Sequence, residues 1–106
     1  MLIEHSEITA KQGMEQDFFA SMTDKGVPLL ANVPGVRWVQ FGRGVEHPQK
    51  FMLLVVWETM DAHTAFTKTP ARTELGALIR PFSTGGAMEH FEMAQPVSTD
   101  LKKSSL

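Results

Sequence analysis

The chain contains no cysteine. That absence removes disulfides, thiolate nucleophiles and thiolate zinc sites together, and it fits a reducing compartment. An excess of positive charge is missing too: ten Lys and Arg stand against twelve Asp and Glu, so nothing resembles the basic footprint of a nucleic-acid binder and no nucleic-acid partner is expected. The longest apolar run falls far below the roughly 20 residues that a membrane helix needs, and the N-terminus enters a strand-like segment without a basic-then-apolar leader. Together these features predict a cytoplasmic protein with no membrane partner. There is no phosphate-cradling glycine motif, no nucleophile elbow and no H-x-x-x-H spacing that would arrange metal ligands in advance. No cofactor is therefore expected, and a metal is the weakest chemical option. With 106 residues, one domain is expected, large enough for a modest core and small enough to gain from an added interface.

What is present reads as alternating strands and helices. "LIEHSEIT" at residues 2–9 mixes β-branched and polar residues in strand fashion, and "AKQG" turns the chain. Met14, Phe18 and Met22 then recur at fourfold spacing, with Glu15 and Asp17 near the helix start where negative charge is favoured. Pro28 should kink or restart this helix, and Pro34-Gly35 stops it. "VRWVQFG" at 36–42 is a second strand, and the polar loop "RGVEHPQ" returns the chain as a hairpin into "FMLLVVW" at 51–57. Thr59 is placed to cap the next helix, which Pro70 breaks; Leu75, Leu78 and Ile79 form the apolar stripe of a second piece. Pro81 and the "STGG" turn end that piece, and "AMEHFEMA" alternates as a fourth strand. Residues 1–95 make the domain, and 96–106 read as a polar tail.

The order β-α-β-β-α-β predicts an α+β, ferredoxin-like architecture: a four-stranded antiparallel sheet with helices on one face. Such a sheet should alternate apolar and polar residues. Yet Phe51, Leu53, Val55 and Trp57 are no more apolar than Met52, Leu54 and Val56. The helix-free face therefore needs a cover, and the economical one is a second copy of the sheet in a two-fold homodimer.

The pieces "ANVPGVRWVQF", "FMLLVVWETMDAHTAFTKTP" and "AMEHFEM", in this order over residues 2–94, resemble the antibiotic biosynthesis monooxygenase domain family of dimeric α+β barrel proteins. The resemblance implies one of several activities: cofactor-independent oxygenation of phenols and quinols, haem degradation, or isomerisation of a signalling sugar. Many members have no known activity, so the family gives the fold more firmly than the reaction. Trp57 matches the family tryptophan at the end of strand three, and His5 falls where haem-degrading members carry a polar strand-one residue, an asparagine. Histidines that many members carry are replaced by Phe66 and Ala71. The haem-ligating histidine would fall near Leu75 or Gly76, which argues against haem degradation.

The candidate site follows from the histidines, the only side chains that titrate near neutrality without a large shift. His5 lies mid-strand on the face that carries Ile3, Glu7 and Thr9, as a wall of a polar pocket or as a structural hydrogen-bonding group. His63 and Phe66 share a helix face by their spacing, so His63 edges the same cavity or is solvated. His90 and Glu92 point together, opposite Phe91 and Met93, and serve either the site or the dimer interface. His47, before Pro48, reads as solvated.

On the oxygenase reading the substrate is a small aromatic of phenol or quinol type held between sheet and helices. His5, or with less support His63, takes the phenolic proton, Trp57 and Phe66 wall the ring with His90 near it, and Arg72 stabilises a developing oxyanion. The rival reading is a non-catalytic ligand-binding or stress-associated dimer that keeps the fold without the chemistry.

Overall fold

In a computed structural model, residues 1–99 are described. The strands are β1 (Leu2–Ala10), β2 (Val36–Arg43), β3 (Lys50–Trp57) and β4 (Ser83–Glu92). They form one antiparallel sheet in the order β2-β3-β1-β4. The helices cover one face only. Alternation shows this directly: on β1 the buried residues are Glu4, Ser6, Ile8 and Ala10, and on β3 Phe51, Leu53, Val55 and Trp57 lie under the helices. The fold is the expected ferredoxin-like α+β arrangement. Of the polar tail expected at 96–106, residues 100–106 lie outside the described residues.

The first helical run differs from a simple kink at proline. Helix α1 (Glu15–Ser21) passes through a π-helical turn, Met22–Gly26, into α2 (Val27–Ala31). The Val27 N–H bonds Met22 O across this wide turn, and Pro28 enters at the start of α2, where its missing N–H costs little. Phe18 at the centre of α1 is fully buried. It meets Phe41 and Phe51 edge-on at centroid distances of 5.5 and 4.9 Å, while Phe41 and Phe51 stack at 5.4 Å. Truncating such a phenylalanine costs about 3–5 kcal/mol, so this aromatic cluster anchors the Phe51 end of the sheet. The Trp57 end is left for polar groups.

Thr59 caps α3 (Met60–Phe66) as expected, its hydroxyl accepting the Ala62 N–H at 3.1 Å. Gly35 fixes how this helix meets the sheet. Its φ is +88°, and a Cβ there would stand 2.5 Å from the Ala62 Cβ. Pro70 opens rather than merely breaks a helix: it is the first residue of α4 (Pro70–Ile79). The "STGG" segment is not a turn, because β4 already begins at Ser83. Its pairing with β1 is irregular at Thr9 and Ala10. A Cβ on Gly86 would lie 2.5 Å from the Glu7 carbonyl oxygen, so glycine lets this strand start close against β1.

The helix-free face is apolar in a row that crosses all four strands. Pairing aligns Trp38, Val56, Ile3 and Phe91. Trp38 is 46% exposed, Met52 44% and Phe91 44%. No helix in the described residues is long and apolar enough to cross a membrane.

Candidate functional site

The polar centre of the molecule is a residue that the sequence reading passed over. Glu4 lies on the central strand β1, directly paired with Val55 on one side and His90 on the other. It is 7% exposed. A buried carboxylate is costly unless it is hydrogen-bonded, and Glu4 is held from several directions. Trp57 Nε1 donates to Oε1 at 3.1 Å, and Ser6 Oγ donates to Oε2 at 3.5 Å. His63 Nε2 stands 3.2 Å from Oε1 and His90 Nε2 stands 4.0 Å from it.

Each of these groups arrives for a local reason. Strand alternation puts Glu4 and Ser6 on the helix side of β1 and His90 opposite Glu4 on β4. The Thr59 cap starts α3 so that His63 and Phe66, one turn apart, both face the sheet and are buried. Trp57 ends β3 and is 1% exposed, with its ring edge-on to His63 at 5.3 Å and 5.6 Å from Phe66. The His63 and His90 rings are 4.4 Å apart.

Burial pushes the His63 pKa below its ordinary value of 6.5; Glu4 opposes this, while His90 and Arg72 add to it. His63 is accordingly neutral at pH 7. Since a carboxylate only accepts, the single proton of the neutral ring belongs on Nε2, facing Glu4, and the lone pair belongs on Nδ1. His63 Nδ1 is buried with no hydrogen-bond partner among the described residues, and so is His90 Nε2. A cavity of about 510 Å³ adjoins this cluster. Glu4, Ser6, His63 and Arg72 supply its polar wall, and Leu53, Phe66, Leu75 and Ile79 its apolar one.

The expected site residues are thus partly brought together. His63, Phe66 and Arg72 do line one cavity. His90 touches the same cluster from the helix side of the sheet, which corrects the alternative in which His90 and Glu92 look into a dimer interface. The exposed Phe91 takes the opposite face. Trp57 stands behind Glu4 and His63 without lining the cavity, which corrects its expected role as a wall for the substrate ring. His5 is the clearest correction. Paired across Leu54 and Glu89, it lies on the helix-free face with its ring against Phe91 at 6.2 Å. It borders a separate cavity of about 360 Å³ with Glu7, Arg43, His47 and Lys50. Adjacent strands share a sheet, but residue parity decides the face, and His5 has the parity opposite to Glu4. No signal in β1 singles out Glu4, because both alternate sets, Glu4-Ser6-Ile8 and Ile3-His5-Glu7, mix polar and apolar residues.

Comparison with known proteins agrees with this fold. The sequence profile described as antibiotic biosynthesis monooxygenase matches residues 1–77. The uncharacterized protein YczJ of Bacillus subtilis (strain 168) is 30% identical over 94 residues, covering 87% of this chain and 98% of that protein. Among solved structures, a candidate antibiotic biosynthesis monooxygenase from Bordetella bronchiseptica superposes with a TM-score of 0.81 at 27% identity, covering 89% of this chain and 97% of that one. SnoaB, a cofactor-independent oxygenase from Streptomyces nogalater, shares the fold with a TM-score of 0.78 at 17% identity, covering 92% of this chain and 97% of its own.

Proposed function

The chain belongs to the antibiotic biosynthesis monooxygenase family, and we propose that it is a monooxygenase of a small phenol or quinol-like aromatic bound in the cavity beside Glu4 and His63. The observation that carries this reading is a buried, carboxylate-held imidazole on the wall of a largely apolar cavity of about 510 Å³. Glu4 keeps the proton on His63 Nε2, and Trp57 keeps Glu4 in place, so Nδ1 offers a lone pair to an acidic hydroxyl.

In the proposed reaction His63 takes the phenolic proton, and the phenolate passes one electron to dioxygen. The resulting superoxide and phenoxyl radical join at an unsubstituted ring carbon, and the peroxide formed takes a proton back from His63. Cleavage of the O–O bond then releases water while that carbon loses its hydrogen and becomes a carbonyl. One phenol and one dioxygen give one quinone and one water, with all electrons supplied by the substrate. Arg72 on the cavity wall offsets the negative charge of the phenolate and peroxide. The apolar wall of Leu53, Phe66, Leu75 and Ile79 holds the ring.

We also read the apolar row Trp38, Val56, Ile3 and Phe91 as the interface of a homodimer. It spans the whole sheet and offers a second copy a matching apolar surface about a two-fold axis.

The test is oxygen uptake by purified, chelator-treated protein over a panel of phenols and hydroquinones. One dioxygen consumed per quinone formed, without released peroxide, is the expected result. Binding of a phenol with no oxygen uptake on any member of the panel overturns the enzymatic reading in favour of a ligand-binding protein.

A further inference from the structure

Glu4, His63 and His90 together have a property that proton transfer alone does not require. Three potential ligand atoms, one from each residue, lie within 4.8 Å of one another. Two imidazoles and one carboxylate are a ligand set that suits first-row divalent ions. Around a tetrahedral ion with bonds of about 2.0–2.2 Å, neighbouring ligand atoms stand about 3.3–3.6 Å apart. The Glu4 Oε1 to His63 Nε2 separation of 3.2 Å is already close to this spacing. The Glu4 Oε1 to His90 Nε2 separation of 4.0 Å needs only a small swing of a side chain on the edge strand β4.

A further observation points to a ligand: His90 Nε2, one of the three proposed ligand atoms, is buried without a hydrogen-bond partner among the described residues. Glu4 is buried and its ion-pair neighbours among the described residues are the two histidines alone, so a cation bound between them would compensate its carboxylate. Trp57 holds the carboxylate from behind, as outer partners of metal ligands do, and leaves Glu4 oxygen lone pairs free for an ion. Open coordination positions would face the cavity that Glu4 and His63 line. Arg72 on the same wall opposes a cation, so binding should be moderate and reversible.

We propose that Glu4, His63 and His90 form a binding site for a divalent first-row transition ion, and that its occupation switches off the proton acceptor. The binding half stands on the geometry alone, and the switch rests on the proposed role of His63. The coupling is a matter of tautomers. An ion on Nε2 displaces the proton that faces Glu4, and the neutral ring must then carry its proton on Nδ1, so the lone pair that would receive the phenolic proton is lost.

The probe is cobalt(II) alone, titrated into the chelator-treated full chain at neutral pH, followed by zinc(II). Expected are visible d–d bands that saturate at one ion per chain and are erased when zinc displaces cobalt. His63→Ala and His90→Ala should weaken binding about a hundredfold or more, and Trp57→Phe about tenfold to a hundredfold through the carboxylate it holds. His5→Ala and His47→Ala should leave the bands intact. Circular dichroism melts identify a variant that fails to fold, and Glu4→Gln and His90→Gln then replace it. Absence of the bands in the wild type, or bands that persist without His63 and His90, overturns the site. Zinc should suppress turnover of any phenol the metal-free protein oxidises, and chelator should restore it. Turnover that rises with metal overturns the switch while leaving the site. Phenol oxidation without cobalt binding refutes the metal site alone, and cobalt binding without phenol oxidation refutes only the oxygenase reading.

Discussion

Trp57 Nε1 donates a 3.1 Å hydrogen bond to Oε1 of Glu4, and both residues are buried, at 1% and 7% exposure. This bond explains why the most apolar strand of the sheet ends in tryptophan and not in another aliphatic residue. The indole fills the core with its rings and stabilises a buried carboxylate with its N–H. A phenylalanine would do only the first.

Trp57→Phe should therefore destabilise the fold by about 1.5–3 kcal/mol, the usual worth of a hydrogen bond to a charged group, with little change in the urea m-value. Urea denaturation at neutral pH measures this. A loss below about 0.5 kcal/mol would mean that Glu4 is satisfied without the indole.

Stability should fall as the solution is acidified below pH 6.5. The folded pKa of His63 lies under the ordinary value of 6.5, with burial as the main cause. Between the two values the unfolded chain holds more protons at this residue, so stability rises with pH across that window. The contribution is complete above pH 6.5 and is lost as pH drops through the lower, folded value. Melting curves from pH 7.5 to 5 should show the decline in the wild type and a shallower one in His63→Gln; parallel curves would refute the assignment.

In chelator-treated protein, His63→Ala should reduce turnover of an accepted phenol about a hundredfold to ten-thousandfold, the range of a general base. His5→Ala should stay near wild type, because His5 faces away from the cavity beside Glu4. The pair of variants is decisive in steady-state oxygen uptake: a large loss with His5→Ala alone would move the chemistry to the helix-free face.

Sedimentation equilibrium at micromolar concentration should find a dimer. Replacing Trp38 and Phe91, exposed at 46% and 44% on the helix-free face, by lysine should weaken it at least about a hundredfold while the chain stays folded. A monomeric wild type would remove the interface reading.

Much of the fold was legible in the sequence because its signals are local. Thr59 caps α3, Phe18 marks the buried side of α1, and the polar loop at 44–49 joins β2 to β3, each through a few neighbouring residues. The errors in the fold had local causes as well. "STGG" reads as a turn by composition, yet Gly86 is there to let β4 approach the Glu7 carbonyl.

The site was harder to read, for a reason visible in β1 and β3. β1 is polar on both faces and β3 apolar on both, so neither strand states which parity lies under the helices. The sequence by itself determined the elements, their order, the shared face of His63 and Phe66, and the tryptophan at the end of β3. Only the tertiary structure decided that Glu4 and not His5 lies under the helices, and that residues from β1, β4 and α3 meet at one carboxylate. Convergence of that kind is set by which face of the sheet the helices cover, a property of the packed layers that no single strand encodes.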